Sequence, residues 1–292
     1  MRRSSVALAW ALIAGLLVVA PARAQDPVLE IHRTEAGAHW DPRGTDLLFV
    51  LVIGSDVREG DPARGRADTL RLIALNPATM QGSTVGIPRD SYVNIPGRGM
   101  SKINASLQFG GPQLVVETVQ ALAGVPIHFW ALVEFSRFRQ LVDRLGGVTV
   151  NVPYPMNDRF SGANFPPGPH PMDGAGALAF ARARYGMPGG DFGRSENHGR
   201  LLLDGLAKFR AETSGNPLRL MDWLNTFRDV VSTNVPPGEL LRLSLLGRRM
   251  DPAAIRNVVL PGRPGTAGRE SVVFLDPHAH TILASIRDDA VV

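Results

Sequence analysis

Asp46–Ile53 (DLLFVLVI) is apolar at every position after its first and stops at Gly54. No other stretch restricts the fold as tightly. A strand with no polar face cannot give one side to water, so it must be covered on both sides, as in a parallel sheet between helices. Gly54-Ser55-Asp56 is then the exit of that strand. Ligands in open α/β sheets bind beyond the carboxyl ends of strands, which makes Asp56 a candidate for chemistry, with a turn aspartate as the simpler alternative.

The chain continues in the same idiom. Thr69–Leu75 and Gly82–Ile87 read as strands separated by Asn76-Pro77, and Tyr92–Ile95 as a short extended piece. Pro112–Leu122 has an apolar face of Leu114, Val115, Val119 and Leu122 and ends at Gly124. Phe129–Val133 is the next strand; Ser136 is the expected cap of a helix that turns Phe138, Leu141, Val142 and Leu145 inward; Val148–Val152 follows Gly146-Gly147. Helices are expected over Leu201–Phe209, Leu218–Val231, Glu239–Met250 and His278–Arg287, with late strands at Arg256–Leu260 and Ser271–Leu275. Alternating strands and helices make this an α/β chain. Pro153–Pro171, rich in Gly, Pro and Asn, is too long for a passive connection and suits a lid or rim.

Arg2-Arg3, an apolar run over Val6–Ala20 and Ala22-Arg23-Ala24 have the order of a secretory leader cut before Gln25, with an uncleaved membrane anchor as the alternative. Either places the remainder outside the cytoplasm, secreted or in the cell envelope. Residues 25–45 then form a polar lead-in and residues 46–292 a single domain. Removal of Arg2, Arg3 and Arg23 leaves 28 basic against 27 acidic residues, so no long-range field favours nucleic acid. There is no cysteine, which excludes disulfides, thiolate nucleophiles and cysteine metal sites. The chain lacks a phosphate-binding Gly-Lys-Ser/Thr loop, a dinucleotide fingerprint and a Gly-x-Ser-x-Gly elbow, and His278 and His280 have no third zinc ligand nearby.

Local charge is another matter. Ala177–Arg200 gathers Arg182, Arg184, Arg194 and Arg200 around the isolated Asp191, with a Pro/Gly break between them. Guanidinium forks donate paired hydrogen bonds to phosphate oxygens at any physiological pH, so converging arginines suit a phosphate or diphosphate. Asp191 among them can act as a base, a metal ligand, an ion-pair partner or a helix cap. Asp56, Asp68 and Arg89 also fall at strand ends, and whether they share an edge with one another depends on strand direction. His198 reads as a polar helix residue rather than a base.

These residues resemble the LytR-CpsA-Psr family of cell-wall glycopolymer transferases. The similarity runs in order through Gly54-Ser55-Asp56-Val57-Arg58, Arg66-Ala67-Asp68-Thr69, Ile87-Pro88-Arg89-Asp90, and Lys102-Ile103-Asn104-Ala105 with Gly110-Gly111-Pro112. It continues through Leu145-Gly146-Gly147-Val148, Ala177–Tyr185 (ALAFARARY) and Asp191-Phe192-Gly193-Arg194, with a looser match near Val259-Leu260-Pro261-Gly262. The resemblance implies a three-layer α/β/α sandwich around a mixed central sheet and an apolar tunnel for a lipid tail. It implies transfer of a glycopolymer from a polyprenyl diphosphate carrier to a peptidoglycan hydroxyl through a phosphodiester, with magnesium, at a membrane surface. Asp56 and Asp68 would hold the metal. Arg58, Arg66, Arg89, Arg182, Arg184, Arg194 and Arg200 would grip the diphosphate, and Asp191, assisted by Arg89 and Arg194, would activate the acceptor hydroxyl.

The chain departs from the family at Asn197-His198, where the family usually carries Arg-Gln. One cation is missing there, and Arg200, three residues on, is the expected substitute. Gly176 replaces a polar helix residue, and the leader reads as removable where the family keeps a membrane helix. A non-catalytic binder of polyprenyl phosphates and a pyrophosphatase remain the alternatives.

Overall fold

The computed structural model describes residues 46–57 and 61–292. The leader, the lead-in and Arg58 lie outside the described residues. A six-stranded sheet forms the centre: β1 (Leu48–Ser55), β2 (Ala67–Asn76), β3 (Gln81–Gly86), β4 (Phe129–Glu134), β5 (Ser232–Thr233) and β6 (Ile255–Val259), in the order β5-β4-β1-β2-β3-β6. β1 is buried on both faces, as its composition requires. Phe49, Leu51 and Ile53 enter one core and Leu48 and Val50 the other, since successive side chains alternate across a strand.

The sheet is mixed, and this corrects the expectation of a parallel setting for β1. β1 is parallel to β4 but antiparallel to β2; β2 is antiparallel to β3; β3 is parallel to β6. β1 and β2 reverse through the 56–66 connection, and β2 and β3 through a short turn in which Asn76 Oδ1 accepts from the amides of Ala78 and Thr79 at 3.1 and 3.2 Å, a local bond that turn asparagines make readily. A tight hairpin reverses the chain where a helical crossover would have kept it parallel. One consequence governs function: the carboxyl ends of β1 and β3 and the amino end of β2 share one edge, which brings Asp56, Asp68 and Arg89 together. Gly54 marks that edge, because a β-carbon there would sit 2.8 Å from Thr69 Cβ.

Helices cover both faces. On one lie α1 (Ala105–Ala123) and α7 (Pro277–Asp289), whose Val115, Val119, Ala279, Ile282, Leu283 and Ile286 pack with the Leu51 side of β1. α1 is kinked: Gly110 and Gly111 leave the helical region, Gly111 at φ 64°, and Pro112 restarts the helix where its missing N–H costs nothing. The expected helix over Pro112–Leu122 is thus its second half. On the other face lie α2 (Phe135–Arg144), α3 (Gly174–Arg182), α4 (Asp191–Thr213), α5 (Pro217–Val230) and α6 (Pro237–Arg249). Leu220, Leu224 and Leu240 of α5 and α6 pack with Leu48 and Phe129.

Ser136 is not a cap. Glu134 holds that position, and Ser136 Oγ donates to its carboxylate from inside the first turn. Pro153–Pro171 is not structureless: Met156–Asp158 pairs with Ala163–Phe165, and Gly168–Met172 pairs with Val148–Val152. The strand at Gly262–Ala267, partner of Glu270–Leu275, has too little apolar alternation to be read from its residues.

Candidate diphosphate and lipid site

The Pro188-Gly189-Gly190 break decides where α4 begins. Gly190 takes φ 52° and caps the helix, and a β-carbon on Gly193 would lie 2.3 Å from the Pro188 carbonyl oxygen, so the loop folds tightly over the first turn. Asp191 is therefore the first helical residue rather than the cap, beside the positive end of the helix dipole. From there Asp191, Arg194 and His198 follow at helical spacing along one face, and Leu201, Leu202, Gly205 and Phe209 continue it.

That face meets the sheet edge in an ion-pair cluster. Arg194 reaches Asp191 Oδ1 at 2.8 Å and Asp68 Oδ2 at 3.7 Å; Arg89 bonds Asp68 Oδ1 and lies 4.0 Å from Asp191 Oδ1. The pairs are sheltered, with 7% of the Arg194 side chain and 13% of Asp68 exposed, so solvent screens them little. Burial acts to raise the Asp68 carboxyl, but Arg194 and Arg89 outweigh it and hold it below the usual range. Burial acts to lower Arg89, and Asp68 and Asp191 overcome it and raise the guanidinium. For Arg194 burial wins over both aspartates, and its affinity for a proton falls.

The other expected residues divide. Asp56 is exposed, with its Oδ1 accepting from the Arg66 amide at 2.8 Å. Arg66 is exposed at the same edge. The Arg182 guanidinium lies 5.1 Å from the Phe135 ring centre, and Arg184 stacks on Tyr185 at 4.6 Å while remaining near enough to Arg194 to act on its charge. Arg200 does not join them. It lies six residues past Arg194, well around the helix, and is engaged by Glu196 at 2.5 Å. Counting three residues from Asn197 carried the position too far around the helix from Arg194, to a side chain that pairs with Glu196 instead.

A further buried cation lies near the cluster, one that the order of the residues did not flag. Arg71, in the middle of β2, is 2% exposed and lies behind the cluster. Its guanidinium donates to the Thr84 carbonyl and hydroxyl, to Asn257 Oδ1 at 2.7 Å and to the Ser195 carbonyl, while its Nε has no partner. Burial lowers its pKa to about 9, against the raising influence of Glu196, so it remains cationic at neutral pH. Two glycines make the room: a β-carbon on Gly199 would fall 1.9 Å from Asn257 Oδ1 and 2.3 Å from the Arg71 guanidinium, and one on Gly86 2.8 Å from it. Gly199→Ala is accordingly expected to destabilise the protein by about 2 kcal/mol, the usual cost of overpacking, as a lowered urea midpoint would show.

Both ring nitrogens of His198 are held by the protein. Its Nδ1 faces Thr69 Oγ1 at 3.2 Å and its Nε2 the Ala181 carbonyl at 2.8 Å; a carbonyl only accepts, so Nε2 carries the proton and Nδ1 receives the threonine hydroxyl. Burial, with Arg194 and Arg71 nearby, lowers its pKa from 6.5 to about 3. Above pH 6.5 the imidazole is neutral whether folded or not. Between 6.5 and 3 the unfolded chain takes up a proton that the folded one refuses, so stability falls as the pH drops through that window. Urea unfolding at pH 7 and pH 4.5 is expected to show a smaller loss of stability in His198→Gln than in the wild type.

Behind the cluster opens an apolar cavity of about 460 Å³. Asp68, Arg71, Arg182, Arg194 and His198 line its polar end; Val52, Ile73, Leu75, Phe138, Leu141, Leu202, Leu206, Phe209 and Trp223 line the rest. It lies between the sheet and α2, α3, α4, α5 and α6, so no single stretch of sequence carries it. A charged mouth on an apolar chamber fits an amphiphile with an anionic head and a hydrocarbon tail.

The donor set also bears on a metal. Among the described residues no group of three or more His, Cys, Asp or Glu could hold one. Asp56 and Asp68, all-oxygen donors on one edge, suit a hard cation only if phosphate oxygens and water complete its shell, and magnesium is commonly held that way.

The teichoic acid transferase TagU of Bacillus licheniformis, named as acting between polyisoprenyl-teichoic acid and peptidoglycan, is 39% identical over 191 residues, which is 65% of this chain and 60% of that protein. The match therefore spans less than two thirds of that relative. The crystal structure of Bacillus subtilis TagU superposes with a TM-score of 0.66 at 30% identity, covering 84% of this chain and 97% of that one. A structure described as TagT bound to LI-WTA gives 0.72 at 22% identity, covering 90% and 98%. The family model matches residues 22–285, and the chain belongs to the LytR_cpsA_psr family.

Proposed function

We propose that this protein transfers a glycopolymer from a polyprenyl diphosphate carrier to a peptidoglycan hydroxyl. The observation that carries this reading is the continuity of the buried arginine–aspartate cluster with the apolar cavity. The diphosphate sits at the mouth, drawing Arg89 and Arg194 from their aspartates and Arg182 from the Phe135 ring, and the isoprenoid lies along Leu202, Leu206 and Phe209. Arg66 and Arg184 close over the outer oxygens. Phosphoryl transfer needs charge neutralisation and alignment more than covalent help, and this cluster supplies both.

Asp191, released from Arg194 by the diphosphate, takes the proton of the acceptor hydroxyl. The hydroxyl oxygen bonds the phosphorus that carries the glycan, the bond from that phosphorus to the bridging oxygen breaks, and polyprenyl phosphate leaves with the bridging oxygen. A phosphodiester joins glycan to wall. Magnesium, bound by Asp56 and Asp68 with phosphate oxygens, would neutralise charge on the leaving group. The basic, apolar leader and the lipid substrate support action at the outer membrane surface or in the cell envelope; no helix among the described residues is long and apolar enough to cross a membrane.

Gly205 offers a test, because a β-carbon there meets nothing within 4 Å and the residue lines the cavity. Gly205→Phe is expected to fill the chamber and abolish both binding of polyprenyl diphosphate, read by calorimetry, and formation of glycan–peptidoglycan conjugate. Unchanged lipid affinity would remove the cavity from the reading.

A further inference from the structure

The two most exposed aromatic side chains among the described residues, Phe160 at 61% and Tyr185 at 47%, touch each other with ring centres 4.7 Å apart. Arg159 lies over Phe160 at 4.8 Å and Arg184 over Tyr185 at 4.6 Å. The assembly is fixed from beneath. Buried Asp158 accepts the amides of Phe160 and Ser161 with one oxygen and those of Arg184 and Tyr185 with the other, tying the 156–165 ribbon to the end of the arginine stretch. Neither guanidinium has a carboxylate partner among the described residues. None of the four residues lines the lipid cavity, and Arg184 is close enough to Arg194 to act on its charge. A rigid aromatic and cationic surface thus stands at the outer rim of the reaction centre, away from the lipid.

We propose that Arg159, Phe160 and Tyr185, the last braced by Arg184, form the docking platform for the acceptor, a strand of N-acetylated amino sugars bearing carboxylates. This rests on the transferase reading above. Ring faces and edges exposed to water suit the apolar C–H faces of pyranose rings, and a guanidinium plane stacked on an aromatic, as that of Arg159 is, keeps its N–H edge free for a carboxylate, while Arg184 donates to the Tyr185 hydroxyl at 2.6 Å and holds that ring in place. A muramic acid strand offers both at a fixed repeat. A nucleic acid offers rings and anions too, but the chain lacks the basic excess to hold one. An exposed aromatic–arginine surface also suits an anionic bilayer; its place beside Asp191's partner, among residues that do not line the hydrocarbon chamber, favours the acceptor.

The test uses the full chain and variants of Phe160 and Arg159, which lie outside the diphosphate cluster and are exposed enough to leave folding intact. The probe is a peptide-free oligosaccharide of alternating N-acetylglucosamine and N-acetylmuramic acid, titrated calorimetrically. Phe160→Ser is expected to weaken its binding about tenfold. Arg159→Gln is expected to remove the preference for this oligosaccharide over an uncharged N-acetylglucosamine oligomer of equal length. Affinity for polyprenyl diphosphate should stay within about twofold in both variants. Wild-type protein that does not bind the acidic oligosaccharide, variants that bind it undiminished, or variants that lose binding to phosphatidylglycerol vesicles instead would each overturn the proposal. Failure of the transferase reading looks different: the wild type would make no conjugate, whereas failure of the platform alone leaves conjugate formation intact with an unchanged acceptor KM in Phe160→Ser.

Discussion

Asp191→Asn is expected to reduce conjugate formation by about 10² to 10⁴-fold, the range that a positioned general base contributes, while affinity for the polyprenyl diphosphate changes by less than about twofold. Asparagine fills the same space at the first position of α4 and can still meet Arg194, so the lipid site should survive. What it cannot do is accept the hydroxyl proton. A parallel fall in turnover and lipid affinity would instead assign Asp191 to holding the arginines in place. The distinction can be read from kcat and from calorimetric Kd measured on the same preparation.

Arg194→Ala should damage both folding and catalysis. Arg194 contacts Asp68 and Asp191 and is itself almost wholly buried. Its removal leaves two sheltered carboxylates with Arg89 alone, and breaking such a pair costs about 3 kcal/mol. Turnover should drop about 10² to 10³-fold, as when a fixed donor to a developing oxyanion is lost. Arg194→Lys separates the two effects: an ammonium restores charge, and with it most of the stability, but it lacks the planar fork that spans two phosphate oxygens. Recovered stability with still-low turnover is the expected pattern. Full recovery of both would mean that Arg194 supplies charge only.

β1 was legible because a strand without a polar face admits one environment, and the motif residues carried the family. The direction of β1 against β2 was not legible: nothing between Gly54 and Thr69 distinguishes a reversal from a crossover, yet that reversal places Asp68 opposite Asp56, and the turn at Asn76 then brings Arg89 to the same edge. Arg71 was missed although a signal existed. It interrupts an otherwise apolar strand at a position facing the helices, and a charge there needs both room and partners. The room comes from Gly86 and Gly199 and the partners from Thr84, Ser195 and Asn257, residues distant in sequence. Arg200 was misplaced for the complementary reason, since spacing counted from Asn197 ignores its angle to Arg194, and the residue pairs with Glu196. The lipid chamber could not be assigned because its lining converges from the sheet and five helices.

The measurement that bears most directly on the central claim is the fate of the glycan-bearing phosphorus. Purified protein is incubated with a polyprenyl diphosphate-linked glycan, magnesium and peptidoglycan fragments, and the products are followed by phosphorus NMR and mass. The predicted result is a phosphodiester whose mass joins glycan and peptidoglycan, formed only when acceptor is present, with polyprenyl phosphate released in equal amount. Glycan phosphomonoester formed at the same rate without acceptor would show transfer to water, and intact lipid would show binding alone; either would contradict the account.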